Sequence, residues 1–126
     1  MLSLQEAAPE VSFTYYQSNH EGCLIDRLQE AVIEKEEIDC GDKDGEAVGG
    51  IIINAGGLSH TSVSLRDAVE ETRDAGIRVV EVHISDLTKR ESFRQKSLIT
   101  EVSSKAIIGQ GTDGYRQAAI WLINNI

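Results

Sequence analysis

Two apolar runs that break off into polar residues, one helix apart, constrain this chain more than any other feature. Val48 to Ile53 is almost continuously apolar and gives way to Asn54, and Arg78 to Ile84 carries the second run, with Ser85 behind it. Strands buried on both faces read this way in parallel sheets, whose crossovers place helices on either side. Between the runs, Leu65, Ala68, Val69 and Thr72 recur at helical spacing. Thr61 stands before them as a candidate cap and Gly76 after them as a stop. Ala106 to Ile108 reads as a further strand, and Tyr115, Ala118, Ala119 and Leu122 give a last helix its apolar stripe. Upstream, Val11, Phe13 and Tyr15 alternate with polar positions, predicting a strand that ends at Gln17. Ser18-Asn19-His20-Glu21 has the form of a capping box ahead of a helix from about Glu21 to Glu37. A short helix is expected from Asp86 to about Arg94. Strands alternating with helices predict an α/β fold with a doubly wound parallel sheet, in one domain spanning residues 1–126.

Charge narrows the partners. Twenty-one acidic against twelve basic residues leave a formal net charge of −9, unsuited to duplex nucleic acid or an anionic membrane. No apolar run approaches the roughly 20 residues of a bilayer span. The first ten residues lack the basic and apolar regions of a secretory signal, so a cytoplasmic protein is expected. Cys23 and Cys40 match neither a zinc knuckle nor a C-x-x-C pair and are expected as free thiols. The acidic stretch Glu37 to Glu46 lacks EF-hand spacing and reads as a surface loop.

Three familiar arrangements fail. Gly109-Gln110-Gly111-Thr112-Asp113-Gly114 is a literal G-x-G-x-x-G, but too few residues follow for the next strand and its acidic ribose ligand. Asp113 would also set a carboxylate where pyrophosphate belongs, so the glycines are expected to serve a tight turn. His20, His60 and His83 have no metal-ligand spacing. Ser62, His60 and Asp67 crowd one turn without a nucleophile elbow. The pair Glu81 and His83 is different: two positions apart in a strand, both face one way, and the carboxylate can orient the imidazole as a general acid. Ser85 would open the following helix, whose free N–H groups favour a carboxylate. Arg94 adds a planar cation, and Asn54 a donor and an acceptor for a hydroxyl. Together they point to a small polyhydroxylated carboxylate.

With these residues in view, a family resemblance emerges. Gln17-Ser18-Asn19-His20-Glu21-Gly22, the stretch Ile53 to Ala68 that holds Asn-Ala-Gly-Gly-Leu-Ser-His-Thr-Ser, Glu81-Val82-His83-Ile84-Ser85 with Arg90-Glu91-Ser92-Phe93-Arg94, and Gly109 to Tyr115 resemble type II 3-dehydroquinate dehydratase in unbroken order from about residue 11 to 126. The resemblance implies a flavodoxin-like fold and a cofactor-free, metal-free lyase of quinate catabolism or the shikimate pathway. Such an enzyme converts 3-dehydroquinate to 3-dehydroshikimate and water through an enolate. By resemblance His83 is the proton donor, Glu81 orients it and Asn54 holds the leaving hydroxyl. The N–H groups of Ile84 and Ser85 take the carboxylate, His60 and Arg94 bind ring hydroxyls, and Asp67 reaches a neighbouring subunit's site in a trimer-based homododecamer.

The family's N-G-P-N-L-N and R-E-P-x-x-Y-G motifs, which carry its base tyrosine and the arginine that acidifies it, do not occur in this sequence. The expected fold therefore lacks the family's first strand and first helix, as in an N-terminally truncated member. Tyr15, Tyr16 and Tyr115 are expected in a strand and a helix, not as replacement bases. The segment Ile38 to Ala47 is longer than is usual at that connection and resembles fungal, quinate-catabolic members. A non-catalytic homologue that binds or assembles is the alternative.

Overall fold

A computed structural model describes residues 2–126 of the chain. Its sheet has three parallel strands, β1 (Gly50–Ile53), β2 (Arg78–His83) and β3 (Lys105–Ile108), in the order β1-β2-β3. The helices are α1 (Leu2–Ala7), α2 (Glu21–Asp39), α3 (Val63–Asp74) and α4 (Asp113–Asn125). Central β2 is paired on both sides, Glu81 with Ile53 and Ala106, and all of its residues after Arg78 are buried.

Alternation along β2 sorts the core into two layers. Val79 joins Leu65, Ala68 and Val69 of α3, Leu28 of α2, and Ile99 and Val102 from the connection before β3. Val80 and Val82 face the other way, onto Ile107 and onto Ala118 and Leu122 of α4. Helices thus cover both faces, the doubly wound arrangement expected. Each fully buried Val or Leu contributes about 1.5–3 kcal/mol through removal from water, which sets β2 as the rigid spine of the molecule. Among the described residues, no helix is long and apolar enough to cross a membrane.

Several local expectations need correction. Residues 11–17 belong to no strand, and Tyr15 and Tyr16 are both exposed. Period-two alternation describes a surface, whereas a strand also needs a neighbouring ladder for its backbone groups, and these residues have none. Ahead of them α1, which the sequence reading passed over, buries Leu4, with Ala8 buried just after its end; it packs on α4 and ties down the chain through Gln5, whose Nε2 donates to the Val11 carbonyl at 2.9 Å. No capping box forms at Ser18. His20 is the N-cap of α2 without a side-chain bond, and Ser18 Oγ instead accepts from the His20 N–H. The cap of α3 is Ser62, not Thr61: its Oγ accepts from Leu65 N–H at 2.9 Å.

The expected helix from Asp86 to Arg94 resolves into two 3-10 turns, Leu87–Lys89 and Ser92–Arg94, separated by extended backbone at Arg90 and Glu91. Leu87 is buried while Phe93 is 66% exposed, so the segment has no apolar stripe to hold a longer helix on the sheet. Asp86 Oδ1 closes the first turn by accepting from the Thr88 N–H and hydroxyl, and these bonds hold its carboxyl below the usual carboxylate range.

Candidate active site

The carboxyl ends of β1 and β2 open into a cleft of about 180 Å³. Asn54, His60, His83, Ile84, Ser85 and Arg94 all line it, so six residues singled out in the sequence meet at one place. Glu81 lies beneath, fully buried. Asp67 does not join them; it sits on the exposed side of α3. His20 is elsewhere, at the start of α2.

The chemistry of the floor follows from one buried charge. Glu81 sits in β2 between Val80 and Val82, where an ionised carboxylate is tolerated only if its oxygens are satisfied. Three donors do this. His83 Nε2 lies 2.7 Å from Oε2, Ser97 donates to the same oxygen, and the Thr100 hydroxyl donates to Oε1. Burial pushes the carboxyl toward protonation, but the bonds from His83, Ser97 and Thr100 and the attraction of the imidazole outweigh it, so its pKa is held below the ordinary 4.5. An ionised Glu81 accepts only, so Nε2 of His83 is a donor and the tautomer is set. Nδ1 is the nitrogen left to exchange a proton with a ligand.

His60 is fixed by the same logic. Its Nδ1 lies 2.8 Å from the Lys96 carbonyl, to which it must donate, leaving Nε2 as an acceptor in the neutral ring. The two imidazoles stack with centroids 6.4 Å apart. Asn54 is held at both ends: its Oδ1 accepts from Gly56 N–H at 3.1 Å, and its Nδ2 donates to Tyr115 Oη at 2.8 Å.

The rim is looser. Arg94 ends the second 3-10 turn, with its guanidinium 5.0 Å from the Phe93 ring centre and Nε 2.7 Å from Glu91 Oε2. The backbone N–H groups of Ile84 and Ser85 have no intramolecular acceptor among the described residues. They are donors available to an anion without the helix that the sequence suggested.

Sequence reasoning missed Ser97, Thr100, Tyr115 and Arg90, the last a second cation on the cleft wall. A signal for the first two existed. A glutamate inside a run of valines requires donors, and Ser97-Leu98-Ile99-Thr100 brackets two apolar residues with two hydroxyls.

The whole chain has relatives. The family model for Dehydroquinase class II matches residues 1–123. A protein from Janthinobacterium sp. (strain Marseille) named 3-dehydroquinate dehydratase is 42% identical over 124 residues, which cover 98% of this chain and 75% of that protein. The crystal structure of a type II dehydroquinase from Butyrivibrio crossotus DSM 2876 is 40% identical with a TM-score of 0.70, over 86% of this chain and 65% of the other. That of the Propionibacterium acnes type II dehydroquinase has a TM-score of 0.80 at 24% identity, over 98% and 81%, and attests to the fold. Sequence match and fold agree: the chain belongs to the class II dehydroquinase family.

Proposed function

We propose that the cleft binds 3-dehydroquinate and removes water from it to give 3-dehydroshikimate, with His83 as the proton donor. The observation that carries this reading is the Glu81–His83 pair at 2.7 Å, buried at the floor of a cleft lined by hydroxyl-binding and anion-binding groups. A proton leaves the carbon alpha to the ketone, and its electron pair forms an enolate. As the enolate collapses, the C–O bond at the beta carbon breaks. Nδ1 of an imidazolium passes its proton to the departing oxygen, and a carbon–carbon double bond and water result. Glu81 stabilises the imidazolium and holds its ring in register. Asn54 holds the leaving hydroxyl, His60 and Arg94 take ring hydroxyls, and the Ile84 and Ser85 N–H groups take the carboxylate. Asp67 extends toward a neighbouring copy in a trimer-based dodecamer.

The residue that takes the alpha proton is not assigned to any position of this chain, since the family's tyrosine-bearing motif does not occur in it. A second reading, a binding protein that keeps the contacts and not the turnover, is favoured by that same observation. Enone formation from 3-dehydroquinate, followed with the 126-residue chain and with a version extended by the family's N-terminal segment, separates them. We expect turnover in the extended version and a loss of about 10²–10⁴-fold in kcat on His83→Ala. Full activity of His83→Ala would remove that residue from its role. Binding without turnover in the extended version would establish the second reading.

A further inference from the structure

The glycine-rich turn after β3 has no nucleotide to serve, yet it does something definite. Gly109 and Gly111 adopt φ of +78° and +60°, a left-handed region open to glycine at little cost. They turn the chain sharply from β3 into α4. Gly114 is buried in the first turn of that helix, where a Cβ would come within 3.2 Å of Val82 Cγ1 and 3.6 Å of Ile107 Cγ2. Its bare backbone lets α4 start close to the sheet. The next residue, Tyr115, is packed against the cluster of Val80, Val82 and Ile107, and its hydroxyl reaches across 61 positions to Asn54.

We infer that Tyr115 is a positioning residue, a brace that holds the Asn54 amide in the one orientation useful to a ligand hydroxyl; the inference rests on the function proposed above. The flip state of the amide is settled by Gly56, whose N–H needs an oxygen, so Oδ1 faces it and NH2 faces Tyr115. The phenol oxygen accepts one amide hydrogen and stops rotation about the last side-chain bond. The second amide hydrogen and the remaining lone pair on Oδ1 stay available for the cleft. Without Tyr115 the exposed Asn54 amide would be held at Oδ1 by Gly56 alone and could swing about that contact, lowering the fraction poised to meet the departing oxygen. Tyr115 touches the reacting atoms only through Asn54, so its effect should fall on kcat and leave KM near its starting value.

The test uses Tyr115→Phe, which keeps the ring packing and removes only the acceptor, in the extended version of the chain. We expect kcat to fall about 5–30-fold with KM changed less than about twofold, as for an interaction expressed in the transition state. Combined with Asn54→Ala it should cost nothing beyond Asn54→Ala alone, the signature of two residues acting through one contact. The side-chain NH2 resonances of Asn54 supply a readout independent of turnover, and Tyr115→Phe should shift them. Unchanged kinetics, or losses that multiply in the double variant, overturn the brace. If no version turns over substrate, the proposed function fails on its own. The brace then stands only if Tyr115→Phe shifts both those resonances and their response to added 3-dehydroquinate, and falls if either is unmoved.

Discussion

The floor and the rim of the cleft are built to opposite rules. On the floor, Glu81 and His83 are carried by the doubly paired strand β2, at 0% and 5% exposure, and both Glu81 oxygens and His83 Nε2 have named partners, leaving His83 Nδ1 for the ligand. On the rim, Arg90 and Arg94 hang from short 3-10 turns, and among the described residues Arg94 is matched only by Glu91, a side chain that is itself 59% exposed. Proton transfer demands fixed geometry and a defined tautomer, which burial and multiple hydrogen bonds supply. Recognition of a hydroxylated ring tolerates side chains that adjust on contact.

Breaking the floor should therefore cost stability as well as activity, and breaking the rim activity alone. Glu81→Ala strands His83, Ser97 and Thr100 together and is expected to lower unfolding free energy by about 3–5 kcal/mol, as removal of one member of a buried pair does. Arg94→Ala should stay within about 0.5 kcal/mol of the parent while raising KM. Chemical denaturation of both variants is the measurement; equal stability losses would erase the distinction between floor and rim. Next in size is Ser97→Ala, which removes the hydrogen bond to the charged, buried Glu81 and the one that Ser97 Oγ accepts from the Ile99 N–H. About 1.5–3 kcal/mol should be lost, and the same assay would show whether His83 and Thr100 together suffice for the Glu81 carboxylate.

The smallest expected effect sharpens the comparison through pH. The folded-state pKa of Glu81 is depressed, so its ionisation stabilises the protein above the ordinary carboxylate value of 4.5, and that contribution disappears as pH falls through the folded pKa. The stability difference between the parent and Glu81→Gln should shrink as pH falls below about 4.5. A difference that does not shrink below that value would mean that the folded-state pKa of Glu81 is not depressed.

How much of this was legible in the sequence depended on whether the signal was local. Strands β1, β2 and β3 and helices α3 and α4 were readable because apolar runs and a 3.6-residue stripe survive in one dimension. The pairing of Glu81 with His83 was readable because strand alternation is strict. Residues 11–17 misled because alternation does not say whether a partner strand is present. Asp86 to Arg94 misled because helix signals at its start, without an apolar stripe behind them, stabilise a single turn. Ser97, Thr100 and Tyr115 act on residues 16, 19 and 61 positions away, and no spacing rule spans such distances.

The connection from β2 to β3, residues 84–104, crosses without an α-helix, and its anchors are uneven. Its second half is tied by Lys96 to His60, by Leu98 to Ser59 and Arg66, and by Ser97 and Thr100 to Glu81. Its first half, which carries both arginines, is held mainly by buried Leu87 and by the Ile84 carbonyl, which accepts from Gly111. Chain entropy is therefore removed in advance from residues 96–103 and left in the span before them. A ligand that engages the arginines must order that span, so shortening or stiffening it would tighten binding without adding a single contact.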